Sequence, residues 1–332
     1  MSAPMKFAIV GCGAIAEAHA TAILANDEAT LAAGVDPDEV ARQKAAKEWG
    51  CATFASIDDM LKETDVDAAC VCTPPALHRQ LTEQLLRSGV HVLCEKPLAP
   101  SPADAQALAE FAKRTGRELM VSSKYRYVSD LSEARELIRQ GRIGVPVYGE
   151  VTFCAQIPAG EKWTAHPSVS GGGVVMDNAC HAFDVLAEAL DEPISSIRAA
   201  FGQRTVSAEV EDTAEVQFRT ERGTLGRVAL SWTYFTKDLD YLMIQGTEGA
   251  IRVGWTGGLV RKHGEREWTS FGSGYNKRTA FANLLEDFME HARNGQREEN
   301  LTHAVRAVEL IEHIYRAEQT GLWQDAQASA LG

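Results

Sequence analysis

The stretch that most restricts what this chain can become runs Phe7-Ala8-Ile9-Val10-Gly11-Cys12-Gly13-Ala14-Ile15-Ala16. An apolar run leads into two glycines spaced G-x-G, and Ala16 keeps the third small position of G-x-G-x-x-A. A side chain at either glycine would block a diphosphate from the backbone, and the start of the following helix offers that anion N–H groups and a positive dipole end. Gly11, Gly13, Ala14 and Ile15 are therefore candidate contacts to a dinucleotide. The pattern by itself is weak, and its context supports it. A second apolar segment at 31–35 ends in Asp36, roughly 20 residues beyond the glycines, where a carboxylate accepts both ribose hydroxyls. Pro37 and Asp38 follow and bring no Arg for a 2′-phosphate, so the expected cofactor is NAD rather than NADP. The competing reading is a tight turn with a merely acidic neighbour.

Alternation continues to about residue 124. Helical periodicity at 15–25, 39–49 and 77–87 alternates with apolar runs at 68–72, 90–94 and 119–122. Gly50 closes one helix, Ser56 opens the next, and Ser101-Pro102 opens another. Such alternation predicts a doubly wound parallel sheet with its ligand edge at the strands' C-terminal ends. Beyond it the pattern changes. In 213–219, Ala214, Val216 and Phe218 alternate with Glu215, Gln217 and Arg219, and similar runs at 224–233, 240–246 and 250–253 predict a large antiparallel sheet. A helix is expected at 131–140, a long one at 174–190, and two more at 279–293 and 302–319. The reading is an α/β protein: a Rossmann domain at 1–124, then an α/β substrate and oligomerisation domain at 125–332. Trp232 and Tyr241 are expected on the open face of the second sheet, as part of a subunit interface.

The formal net charge of -13 argues against nucleic acid and anionic membrane as partners. No apolar run reaches the length of about 18 residues a bilayer span needs. The first residues are too short and uncharged for a signal peptide, and the odd count of 7 cysteines suggests reduced thiols; the expected location is cytoplasmic.

Five clusters carry the chemistry. Glu95-Lys96-Pro97 follows the 90–94 strand on the ligand edge, where Lys96 is placed to reach a substrate; alternatively Glu95 and Lys96 are a surface ion pair. Asp177, His181 and Asp184 fall at i, i+4 and i+7 behind Gly171-Gly172-Gly173 and share one helix face. His181 beside a carboxylate is a candidate general base. The alternatives are a core histidine satisfied by its neighbour and a metal site, and no metal is expected once the glycine turn and Asp36 supply a cofactor. Lys124 and Arg126 are candidate substrate contacts or solvated charges at the domain junction. Thr73, Pro74 and His78, after the 68–72 strand, are expected at the cofactor, with a structural role open for His78. Trp163 and His166 lie in an expected loop at 157–170, with Trp163 a candidate substrate contact.

Together, Gly11-Cys12-Gly13-Ala14-Ile15-Ala16, Glu95-Lys96-Pro97, and the three glycines leading to Asp177, His181 and Asp184 resemble the glucose–fructose oxidoreductase / inositol dehydrogenase (Gfo/Idh/MocA) family, with Thr73-Pro74-Pro75 and His78 also fitting. The resemblance implies a Rossmann domain and a C-terminal domain whose open sheet pairs subunits into a homodimer or homotetramer. It implies oxidation or reduction of a hydroxyl-bearing carbon of a sugar, polyol or derivative, using NAD or NADP. Lys96 would contact the reacting hydroxyl and the nicotinamide ribose, Asp177 would bind substrate, and His181 would be the acid/base; Glu95 belongs with the cofactor contacts. One departure is visible: Asn178-Ala179-Cys180 stands where many relatives carry a small, glycine-containing segment. The same architecture also hosts glycoside hydrolases that retain NAD, and nucleotide-sensing regulators that are expected to lack the Lys and His pair.

Overall fold

Strand and helix alternate in the first half because apolar runs and capping residues alternate there. The computed structural model describes residues 3–157, 163–204, 209–236, 239–295 and 298–327. In chain order it gives β1 (Met5–Val10), α1 (Ala16–Leu24), β2 (Ala29–Val35), α2 (Glu39–Trp49), β3 (Ala52–Phe54), α3 (Ile57–Glu63), β4 (Ala68–Val71), α4 (Pro75–Arg87), β5 (His91–Cys94), α5 (Pro102–Thr115) and β6 (Leu119–Val121). A 3-10 turn, Lys124–Tyr127, leads to α6 (Ser129–Arg139), β7 (Pro146–Cys154), a second 3-10 turn (Trp163–Ala165), α7 (Pro167–Ser170) and α8 (Val174–Leu190). Then come β8 (Ile194–Phe201), β9 (Thr213–Thr220), β10 (Leu225–Ser231), β11 (Asp240–Gly246), β12 (Gly249–Gly254), β13 (Gly257–Lys262), β14 (Thr269–Phe271), α9 (Lys277–Asn294), α10 (Glu298–Thr320) and β15 (Gln324–Asp325). Among the described residues, no helix is long and apolar enough to cross a membrane.

The chain divides into two compact units, one of Met1–Lys124 with Lys277–Val305 and one of Tyr125–Asn276 with Arg306–Gly332. In the first unit the sheet order is β3-β2-β1-β4-β5-β6, and every neighbouring pair is parallel. From β1 the chain steps outward to β2 and β3, then crosses to the other side for β4. That reversal opens a crevice at the C-terminal ends of β1 and β4, the usual ligand position of such sheets. The strands are covered on both faces, which is why Phe7, Ala8, Ile9, Ala68, Ala69 and Cys70 form unbroken apolar runs. Caps fall where the local sequence supplies them: the Ser101 hydroxyl accepts from the Asp104 N–H at 3.1 Å, and Gly116 ends α5 in the left-handed region. Helix α9 groups with this sheet rather than with its neighbours in sequence, packing Phe288 6.0 Å from Phe7.

In the second unit nine strands run β14-β13-β12-β11-β7-β10-β9-β8-β15. β7 and β10 are parallel, and the other neighbours are antiparallel. Inward positions such as Val151, Val216, Phe218 and Val228 lie buried toward α8. The outward positions carry charge: Arg227 of β10 bonds Glu150 of β7 at 2.6 Å and approaches Glu215 of β9 at 3.7 Å, while the Arg252 and Arg261 guanidinium groups stand 4.8 and 4.7 Å from the Trp268 ring. Trp232 and Tyr241, expected on this open face, are instead buried at 2% and 1% exposure. Tyr241 turns inward because it joins a cluster of rings, described below.

Candidate active site

The glycine turn is shaped by backbone crowding on one side and open space on the other. Gly11 has φ +91°, and a Cβ there would stand 2.9 Å from the carbonyl carbon and oxygen of Cys72 and from Cγ2 of Thr73. Only glycine tolerates both conditions. A Cβ on Gly13 would meet nothing within 4 Å, so no protein atom requires glycine at this position. Helix α1 starts just beyond, without a side-chain cap. Open space over an uncapped helix N-terminus is what a diphosphate needs. Asp36 completes this edge: its two carboxylate oxygens accept from the N–H of Cys12 at 2.8 Å and of Asp38 at 2.9 Å. These bonds fix the acid beside the turn and leave further lone pairs for ribose hydroxyls. No Arg stands next to Asp36 in sequence, but α2 brings Arg42 behind it, where the guanidinium donates to the carbonyls of Asp36 and Pro37 at 2.7 and 2.9 Å.

The exits of β4 and β5 follow on one side of this turn. His78 is fully buried, with its ring nitrogens 2.8 Å from the carbonyl oxygens of Pro97 and of Thr73. Its part in the site is to tie the loop after β4, which carries Thr73 and Pro74, to the loop after β5, which carries Lys96. Burial pulls its pKa below the ordinary imidazole value, partly offset by those carbonyls. Glu95 does not reach outward. It is 6% exposed and lies 2.8 Å from Nε2 of His19, while its other oxygen accepts from the Lys96 N–H at 3.3 Å. Sequence reading paired Glu95 with Lys96 or with the cofactor; the structure pairs its carboxylate with a histidine from α1, 76 residues away. Burial raises the Glu95 pKa, but the His19 hydrogen bond and charge, with Lys96, outweigh it and hold the carboxyl at about 2.

A folded pKa held below the free value of 4.5 contributes stability that is present above that pH and lost as the pH falls toward about 2. Glu95→Gln is therefore expected to be less stable than the wild type at pH 6, with the gap closing below pH 4.5. Urea unfolding of both chains at stepped pH measures this, and a gap that stays constant to pH 3 would contradict the assignment.

In the second unit, α8 presents Asp177, His181 and Asp184 on one face; Asp177 is half-buried, His181 6% exposed and Asp184 9% exposed. The three glycines before this helix each meet a different constraint. Gly171 ends α7 with φ +82°, a Cβ on Gly172 would collide with the Tyr315 hydroxyl, and a Cβ on Gly173 would overlap the Glu211 carbonyl. The Glu211 carboxylate accepts from the N–H of Gly173 at 2.9 Å and of Val175 at 3.1 Å, and from the Tyr315 hydroxyl at 2.8 Å. A buried anion thus caps the helix that carries the candidate acid/base. Burial raises the Glu211 pKa, with Tyr315 and these N–H groups pulling the other way. Glu211 and Tyr315 lie far from the helix in sequence, and no local motif marks them.

His181 also meets a ring that sequence reading passed over. Tyr125, between Lys124 and Arg126, stands edge-on to it at 5.0 Å and stacks with Tyr275 at 5.5 Å; Phe153, Tyr241 and Trp255 continue the cluster. Asp130 anchors the loop that carries Tyr275, accepting from the N–H of Ser273 at 3.1 Å and of Gly274 at 2.8 Å. Burial raises the pKa of Glu188 on α8, partly offset by Arg135, which pairs with the carboxylate at 3.2 Å, and by the charge of Arg126. Lys124 closes the first unit. The expected loop at 157–170 is partly helical: Trp163 sits 46% exposed in a 3-10 turn and α7 follows, while 158–162 lie outside the described residues. Among the described residues, no group of three or more His, Cys, Asp or Glu is arranged to hold a metal ion.

The glycine turn, the uncapped helix and the fixed carboxylate beside a topological switch define a dinucleotide-binding oxidoreductase domain. The chain belongs to the Gfo/Idh/MocA oxidoreductase family: residues 5–123 match its NAD-binding Rossmann fold and residues 131–252 its C-terminal domain. It is 25% identical to the rhizopine catabolism protein MocA of Rhizobium meliloti over 92% of this chain and 93% of that one. It is 30% identical to the 1,5-anhydro-D-fructose reductase of Ensifer adhaerens over 60% of each chain, so the match spans less than two thirds of that relative. Among solved structures it superposes on a levoglucosan dehydrogenase in complex with NADH and L-sorbose with a TM-score of 0.88 at 19% identity, covering 98% of this chain and 99% of that one. The WlbA dehydrogenase of Bordetella pertussis, in complex with NADH and UDP-GlcNAcA, gives 0.83 at 25% identity, covering 98% of each.

Proposed function

We propose that this protein is an NAD-dependent dehydrogenase acting on a hydroxyl-bearing carbon of a sugar, a polyol or a sugar derivative. The observation that carries the reading is the ligand edge of the first sheet, where an open turn at Gly13, a fixed Asp36 and Lys96 follow β1, β2 and β5. Bound NAD supplies the hydride acceptor. The chain's own residues do the rest. The turn and the α1 N-terminus hold the diphosphate, and Asp36 accepts from the ribose hydroxyls. Lys96 places a positive charge where an alkoxide develops. His181 takes the hydroxyl proton on its ring and returns it in the reverse direction, and Asp177 orients the imidazole or a substrate hydroxyl.

Asp36 also sets the preference for NAD. A 2′-phosphate would meet its carboxylate, and Arg42 is already held by main-chain carbonyls. Asp36→Ala is expected to weaken NAD binding about 10-fold or more, the worth of hydrogen bonds to a charged group, and to narrow the gap between NAD and NADP. Nucleotide fluorescence titrations read both; an undiminished preference for NAD would remove Asp36 from that role.

A screen of sugars, sugar acids and inositols with NAD, following NADH formation, tests the activity. A chain that released free sugar from glycosides with no net NADH would be an NAD-retaining hydrolase, and one inert to every compound while binding NAD would be a regulator; either result replaces this reading. A homodimer or homotetramer in the cytoplasm completes the proposal. Supporting it are the broad outward sheet face with its exposed Leu225, and seven cysteines of which none is in a disulfide. Sedimentation as a monomer would remove the oligomer.

A further inference from the structure

One buried charged pair has no part in the chemistry proposed above. His19 is 2% exposed on α1, a helix otherwise lined with alanines and Ile23, and its Nε2 lies 2.8 Å from Oε1 of Glu95. The Phe281 ring of α9 stands edge-on to the imidazole at 4.9 Å, and Lys277 lies 5.8 Å from that ring on its own. The other carboxylate oxygen of Glu95 accepts from the Lys96 N–H. The remaining titratable groups around the pair are Cys70 and Cys72 of β4, Cys94 of β5 and His78 of α4. Burying an ion pair adds little to stability compared with an apolar pair of similar volume, so stability alone is a poor reason to keep one here. What the pair does, and an apolar one cannot, is fix orientation through directed hydrogen bonds.

We propose that His19 is a positioning residue for Lys96: it fixes the Glu95 carboxylate, Glu95 fixes the main chain of Lys96, and the lysine is thereby locked to the helix on which the diphosphate rests. The inference rests on the dehydrogenase reading for its kinetic consequence but not for its geometry. The helix that follows Gly13 and the strand exit that carries Lys96 belong to different crossovers. The β1-β4-β5 ladder and the His78 bridge relate them only through β4; the pair joins them directly. With it, a ligand that engages the α1 N-terminus also finds Lys96 at a set distance.

His19→Leu keeps the volume and removes the donor. We expect kcat to fall about 10- to 100-fold, the effect of misplacing a group by about 1 Å, with KM and the Kd for NAD changed less than about threefold. His19→Gln, whose amide N–H still donates, is expected to recover most of the loss. An activity-independent readout comes from reductive ¹³C-methylation of the lysines in the wild type and both variants. The Lys96 signal, assigned with Lys96→Arg, should shift toward exposed-lysine values in His19→Leu and stay near its wild-type position in His19→Gln. Should His19→Leu fail to fold, the ¹⁵N signals of the wild-type imidazole decide: Nε2 should carry a proton shared with the Glu95 carboxylate. A His19 Nε2 that carries no proton, an unmoved Lys96 signal, or kcat unchanged in His19→Leu each overturns the proposal. A wild-type chain that oxidises nothing in the screen defeats the dehydrogenase reading instead and leaves the two NMR measurements to judge the lock.

Discussion

Replacing His181 by alanine is expected to lower turnover by about 10²- to 10⁴-fold, the usual contribution of a positioned acid/base, while leaving NAD affinity within about twofold. The two effects separate because the groups belong to different units. The glycine turn and Asp36 lie in the unit of Met1–Lys124, and His181 lies on α8 in the other. The histidine's surroundings argue for chemistry over packing. It is 6% exposed, it stands edge-on to Tyr125, and the ring cluster behind Tyr125 is too apolar to need an imidazole for cohesion. A core histidine would show its loss in Tm and hardly at all in kcat. Steady-state kinetics on the substrate found by the screen, nucleotide fluorescence and a thermal melt together decide. Unchanged turnover would return His181 to a structural role, and an equal fall in NAD affinity would show that the variant had disturbed the fold.

The largest expected effect on stability comes from Gly173→Ala. A Cβ there overlaps the Glu211 carbonyl and stands 2.8 Å from the Glu211 carbonyl carbon and 2.9 Å from its nitrogen; all three are backbone atoms that no rotamer change can move. Relief requires shifting the strand lead-in away from α8, which breaks the bonds from the Gly173 and Val175 N–H groups to the Glu211 carboxylate. Overpacking and a lost cap together amount to about 3–4 kcal/mol. In a chain of this size that lowers Tm by roughly 5 °C. Gly13→Ala is the contrasting case. Its Cβ meets nothing, so Tm should hardly change while NAD affinity falls. If Gly173→Ala melts with the wild type, the close approach of Glu211 to α8 is wrong. If Gly13→Ala binds NAD undiminished, the diphosphate does not sit over the turn.

The acid response of Glu95→Gln and the cofactor preference of Asp36→Ala probe the first unit by independent routes, one through a buried carboxylate and one through an exposed edge. His19 joins the two, since α1 carries both the helix start that faces the ligand and the imidazole that faces Glu95.

The divide between what could be read and what could not follows the range of the interactions. Local patterns sufficed wherever neighbours in sequence decide the outcome. Periodicity placed α8 at its observed bounds, alternation produced the parallel sheet, Gly50 and Ser56 capped their helices as expected, and G-x-G-x-x-A marked the turn. β7 was missed although it lies at the middle of the second sheet, because Gly149 and the outward Tyr148, Glu150 and Thr152 hide its apolar face. The three glycines at 171–173 pointed to the helix that follows but not to their cause, since the Glu211 carbonyl and the Tyr315 hydroxyl arrive from elsewhere in the chain. Likewise no window around Glu95 contains His19, and no pattern in α9 says that its Phe281 and Phe288 belong against the first sheet. Strand, helix, turn and cofactor acid are encoded within about 20 residues, over which backbone propensity and side-chain periodicity act directly. Which buried charges meet is decided only when distant segments are brought together, because a carboxylate removed from water must find its donor wherever the packed chain supplies one.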